Sequence, residues 1–140
     1  MNKRSLGLVA LAGVAALAGI STRGDAHHAF AAEFDAAKPV TVQGVMTKAR
    51  IVNPHSWIYL DVKDKSGAVT NWGFEFGTPS SLKANGLTRE DFKAGTLISI
   101  SGFRSKNGGP YGYATNLTLP GNRKVRSGGA PDAPTAPAAR

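Results

Sequence analysis

The sequence predicts an all-β domain, read as a small five-stranded OB-like barrel with one short helix between strands three and four. Three observations lead there. Apolar and β-branched residues fall into five short blocks between Val40 and Leu119, and turn-forming residues bound each block. Helix punctuation is found only between the third and fourth blocks. An SH3-like barrel or a small open sandwich is the alternative way of pairing the same blocks.

The first block runs from Val40 to Val52, and its alternation changes phase around Gly44: Val40 and Val42 share one face, whereas Val45 and Ile51 fall in the register of Thr41. A glycine at a phase change predicts a bulge that bends a long strand. Asn53-Pro54 breaks the ladder, because proline has no N–H to donate. In the second strand Ile58, Leu60 and Val62 point one way, and Trp57, Tyr59 and Asp61 the other. Asp64-Lys65-Ser66-Gly67 is a hairpin turn into a third strand, Val69 to Phe76, with Trp72, Phe74 and Phe76 on one face as core material. Thr78 caps a short helix beginning at Pro79, Asn85-Gly86 ends it, Thr88 and Asp91 form a second capping box, and Gly95 stops the stretch. Thr96 to Phe103 and Tyr111 to Leu119 are the last two strands, joined by the loop Lys106 to Pro110.

At 41% hydrophobic and 19% charged residues the composition is that of a globular chain. The absence of cysteine excludes disulfides, zinc–cysteine sites, iron–sulfur clusters and a thiol nucleophile. Met1 to Arg4 is basic, Leu6 to Ile20 apolar, and Ser21 to Ala26 small and polar, which is the pattern of a secretory signal peptide over residues 1–26. The apolar run would span only about 22 Å as a helix at ~1.5 Å per residue, too short for a permanent membrane anchor. Cleavage is expected after Ala26, making His27 the new terminus, or after Ala31, removing both His27 and His28. Residues 27–39 then form an N-terminal arm, 40–122 the barrel, and 123–140 a disordered basic tail rich in Pro, Ala and Gly. Of the net charge of +8, residues 27–122 carry only +3, so the charge does not call for a nucleic-acid partner.

His27-His28-Ala29-Phe30, Glu33-Phe34-Asp35, Asn53-Pro54-His55-Ser56-Trp57 and the stretch from Gly95 to Gly102 together resemble a family of small exported bacterial proteins catalogued as a domain of unknown function. The resemblance covers roughly residues 27–125. It implies a signal peptide and a small β-barrel, and it brings no activity, substrate or cofactor.

All three histidines of the chain lie in those blocks. A new amine at His27, with the side chains of His27, His28 and His55, is a nitrogen-rich donor set that suits Cu(II) best and Zn(II) or Ni(II) next. Phe30 and Phe34 would have to dock the arm on the barrel to bring His27 to His55. The plainer reading makes His27 and His28 residues of a loose terminus and His55 a partly buried ring bonded to a strand-end carbonyl. A second candidate is an aromatic strand face of Trp57, Tyr59, Tyr111 and Tyr113, flanked by Arg50, Arg104 and Lys106, that would hold a glycan, a peptide or an envelope surface. Those rings would otherwise pack against the arm or the loops.

Enzyme chemistry finds no support. Ser56 and His55 are strand neighbours that face opposite sides, no nucleophile elbow occurs, and Gly108-Gly109-Pro110 precedes a strand where a phosphate loop needs a helix. Glu75, between Phe74 and Phe76, is expected to point into solvent. The expectation is a non-enzymatic, periplasmic or secreted binding module whose partner is a metal ion, copper foremost, or a small envelope ligand.

Overall fold

A single helical turn, α1 (Phe30–Glu33), leads directly into β1 (Phe34–Arg50), a 17-residue strand long enough to pair with two neighbours. Then follow β2 (Ser56–Lys63), β3 (Val69–Phe76), α2 (Pro79–Ala84), a 3-10 turn over Arg89–Phe92, β4 (Leu97–Ser105), β5 (Tyr111–Leu119) and β6 (Arg123–Arg126). These come from a computed structural model that describes residues 30–128, 130, 133 and 134. The signal segment, His27, His28 and most of the tail lie outside the described residues.

The fold is all-β, with six strands in the order β3-β2-β1-β4-β5-β6. Neighbours in that order are antiparallel, and β3 makes an additional parallel pairing with β5 that joins β1 to β5 into a ring. The first half of β5 takes β3 on its second edge, Gly73 to Glu75 against Tyr111 to Tyr113. The second half takes β6, Asn116 to Leu119 against Arg123 to Arg126. The sixth strand corrects the five-strand expectation, and it is built from Arg123–Arg126, where the sequence predicts the start of the tail. Val125 supplies the reason: it packs against the core and is the one large apolar residue in that segment.

Alternation dictates the inner core. Ile58 and Leu60 of β2, Phe74 and Phe76 of β3, Ile98 and Ile100 of β4 and Leu117 of β5 are all buried, with Met46 of β1 among them. On β1 the inward series is Val40, Val42, Gly44 and Met46, and the phase changes at Thr47, where the register with β2 shifts between Met46 and Lys48. The bulge therefore falls three residues beyond the expected glycine. Val45 is exposed, and Ile51 and Val52 lie beyond the strand end. Gly44 has another reason to be glycine, since a Cβ there would come within 2.4 Å of the Asp61 carbonyl oxygen of the neighbouring strand.

The local punctuation behaves as read. Asp64 accepts from the N–H groups of Ser66 and Ala68 at 2.8 and 3.0 Å and closes the hairpin, with Gly67 at φ +90°. The Thr78 hydroxyl oxygen accepts from the N–H of Ser81 at 3.2 Å to cap α2, whose Leu82, with Leu87 beyond it, belongs to the inner core. Thr88 and Asp91 form the capping box of the 3-10 turn.

A second apolar cluster lies apart from the inner core. Phe30 and Phe34 pack on Phe103 and Tyr113, with ring centroids of Phe30 5.5 Å from Phe103 and 5.4 Å from Tyr113. Ala130 and Ala133 of the chain end pack on the same cluster, and the Ala130 N–H donates to the Tyr113 hydroxyl. Phe30 and Phe34 thus hold the described part of the arm, from Phe30 onward, against β4 and β5. Among the described residues no helix is long and apolar enough to cross a membrane.

Candidate functional site

Register places the chemistry. Across β1, β2, β3, β5 and β4, Arg50, Trp57, Glu75, Tyr113 and Phe103 fall side by side in one row. The adjacent row holds Lys48, Tyr59, Gly73 and Tyr111. Side-by-side residues of paired strands share a face, and these belong to the face opposite Ile58, Leu60, Phe74 and Ala114.

His55 follows the cis Asn53–Pro54 peptide and immediately precedes β2. Ser56, the next residue, is fully buried and its hydroxyl donates to the Val52 carbonyl, so the chain enters β2 with its orientation set. The imidazole Nδ1 of His55 pairs with Oε1 of Glu75, the two side chains being only 16% and 9% exposed. This corrects the expectation that Glu75 points into solvent. Alternation does turn Glu75 off the inner core, but that side of the sheet is not open at this point. Trp57 stands beside it on one strand, and Tyr113, buried under the docked arm, on the other.

The pairing has a chemical consequence. A carboxylate on Nδ1 fixes the orientation of the ring. An imidazole oriented in this way is suited to ligating a metal or carrying a proton. Among the described residues no group of three or more His, Asp or Glu side chains is placed to hold a metal ion. His27 and His28 lie outside the described residues.

The expected aromatic face is divided by the structure. Trp57 and Tyr59 stack, with ring centroids 6.2 Å apart and planes 19° from parallel, and both are half-buried. With Tyr111 they line a groove of about 430 Å³ over Gly73. Tyr113 does not join it, because its ring belongs to the buried cluster with Phe30, Phe34 and Phe103. Arg104 is also elsewhere. It neighbours Phe103 in a strand, so alternation turns it to the other side, where its guanidinium carbon lies 5.2 Å from the Trp72 ring centroid and Nη2 donates to the Gly108 carbonyl at 3.0 Å. Lys106 serves the arm: its ammonium donates to the Ala31 carbonyl, and its backbone N–H to that of Glu33 at 2.9 Å.

Sequence reasoning missed Glu75 as a site residue. The available signal was its phase: Glu75 sits on the same side of β3 as Gly73, and that side meets the rings of Trp57 and Tyr59 on the hairpin partner.

A family model described as a family of unknown function (DUF6152) matches residues 14–114. No curated protein matches the chain.

Proposed function

The chain belongs to the family of unknown function DUF6152, and from its site geometry we propose that it is an exported, non-enzymatic metal-binding module of the cell envelope, with His55 as the anchoring ligand. We read the ring β1-β2-β3-β5-β4, with α2 between β3 and β4, as an OB-like barrel that presents this residue at its end.

The observation that carries the reading is the buried carboxylate of Glu75 on His55 Nδ1. Metal-bound histidines almost always place their second nitrogen on a carboxylate, a backbone carbonyl or a water, and a carboxylate raises ligand basicity and holds the ring in place. A supporting observation is the position of the arm. Phe30 packs edge-on to Tyr113, and Tyr113 is the register partner of Glu75. His28 and His27 precede Phe30 by two and three residues. His27, His28 and His55 together offer imidazole nitrogens, and a free terminus at His27 would add an amine. Affinity for such donors peaks at Cu(II), with Zn(II) and Ni(II) behind.

Calorimetric titration of the mature protein with Cu(II) and Zn(II), with its first residue identified by intact mass, tests the reading. One Cu(II) per chain is expected, with His55→Ala weakening it at least tenfold and Glu75→Gln by about 10- to 100-fold, the usual loss for a ligand's supporting partner. Wild-type affinity in His55→Ala refutes it.

A further inference from the structure

The groove on the outer face is lined by residues other than His55 and Glu75. Its floor is Gly73, where an added Cβ would stand 3.2 and 3.3 Å from carbons of the Tyr59 ring. Glycine there lets the Tyr59 ring lie close over the β3 backbone, and a larger residue would push that ring out of place. Trp57 and Tyr59 form one wall, stacked on each other, and Tyr111 forms the other, its hydroxyl accepting from Asn107 Nδ2 at 2.8 Å and its ring set edge-on to Phe34. The walls are therefore held in place before any ligand arrives, which lowers the ordering cost of binding.

The contrast along the face is informative. Its Tyr113 and Phe103 end is covered by the chain's own arm, whereas the Trp57 and Tyr59 end is left half-buried. At about 430 Å³ the groove is the size of a small-molecule site. Polar groups surround the rings. Asn71 Nδ2 donates to Asp61 Oδ1 at 2.7 Å and to Thr47 Oγ1 at 3.3 Å, giving an ordered amide and carboxylate at one end. On the β1 side, Lys48 and Arg50 are exposed directly beside Tyr59 and Trp57 in the register.

We infer that this groove binds a pyranose unit of an acidic oligosaccharide. The sugar's apolar C–H face would lie on Trp57 and Tyr59, its hydroxyls would reach Asn71 and Asp61, and its carboxylate would meet Arg50 and Lys48. A stacked ring pair flanked by cations also suits single-stranded nucleic acid. The sugar is favoured because the cations are confined to one rim, with Asp61 and Glu33 on the others, whereas a nucleic-acid strand needs a basic track along its backbone.

The test is titration of the full-length mature protein with tetragalacturonate, its methyl ester and an eight-residue oligothymidylate, followed by calorimetry in the presence of EDTA so that metal plays no part. The acid form should bind, the ester at least fivefold more weakly and the oligothymidylate more weakly still. Trp57→Ala should cost tenfold or more. Gly73→Val should abolish binding while circular dichroism and the unfolding transition remain those of a folded protein, and Arg50→Glu should erase the preference for acid over ester. Absence of binding by either sugar overturns the inference, as does equal affinity in Trp57→Ala, or tighter binding of the oligothymidylate. Because no variant here replaces His55 or Glu75 and EDTA removes metal from the sugar titration, failure of this site and failure of the metal reading are distinguishable.

Discussion

Phe30→Ala removes the side chain that pins the arm. Phe30 is 3% exposed and its ring meets three others, Phe34 at 5.6 Å, Phe103 at 5.5 Å and Tyr113 at 5.4 Å between centroids. Burial of a phenylalanine contributes about 1.5–3 kcal/mol, and each favourable ring pair about 0.5–1.5 kcal/mol beyond that. The sum is an upper limit, because the arm has an alternative to keeping a cavity. It can detach, and the residues freed regain roughly 1–2 kcal/mol each of conformational entropy. The cost is therefore set by the docking free energy of the arm, and we expect a loss of about 2–3 kcal/mol. That lies below the full Phe→Ala penalty of about 3–5 kcal/mol seen in closed cores. Urea unfolding of wild type and variant measures it, and a lower m-value is expected as well, since the variant's native state already exposes the arm. Amide exchange gives a local readout: the Lys106 N–H, which donates to the Glu33 carbonyl, should lose protection, whereas amides of β2 facing β3 should follow only the global change. A loss under about 0.5 kcal/mol with the Lys106 amide still protected would refute the view that Phe30 holds the arm to the sheet.

Two further perturbations test how the rest is held. Asp91 accepts from the Thr88 N–H at 2.8 Å and also binds the guanidinium of Arg123, so one carboxylate ties the 3-10 turn to β6. Burial alone would raise its pKa, but the Thr88 N–H and Arg123 outweigh it and hold the carboxyl below its ordinary value of 3.8. A carboxylate depressed in the folded state stabilises fully above its unfolded pKa and loses that contribution as pH falls through the folded one. Asp91→Ala should therefore cost about 1–2 kcal/mol at neutral pH, mostly as the lost cap, and the gap between wild type and variant should narrow in denaturation series below about pH 4. Gly102→Ala is a steric test, since its Cβ would stand 1.8 Å from the Tyr113 carbonyl oxygen, a backbone atom that cannot swing aside. We expect a loss above about 3 kcal/mol or failure to fold, against about 1 kcal/mol for Gly86→Ala, where φ is +80° but the space is open. Equal midpoints for the two variants in urea would contradict the close approach of β4 and β5.

What the residues determine by themselves is local. The inward series Ile58, Leu60 and Val62, the Asp64 hairpin, the Thr78 cap and the Thr88–Asp91 box each depend on neighbours within a few positions, where period two and capping chemistry act directly. All stand in the fold as read. The departures have a common origin in partners far apart in the chain. Glu75 was assigned to solvent because its own strand says only that it faces away from Phe74 and Phe76. The parallel pairing with Tyr113 and the arm above it close that side. Arg104 and Tyr113 lie apart for a related reason: the β4–β5 register sets Arg104 opposite Gly112, one residue out of phase with the ring row. β6 pairs with the second half of β5, and within Arg123 to Arg126 only Val125 carries the apolar side chain that packs on the core. Alternation decides which two sides a strand has. Only long-range pairing decides what covers each of them, and at His55 and Glu75 that cover turns two ordinary polar residues into an oriented pair.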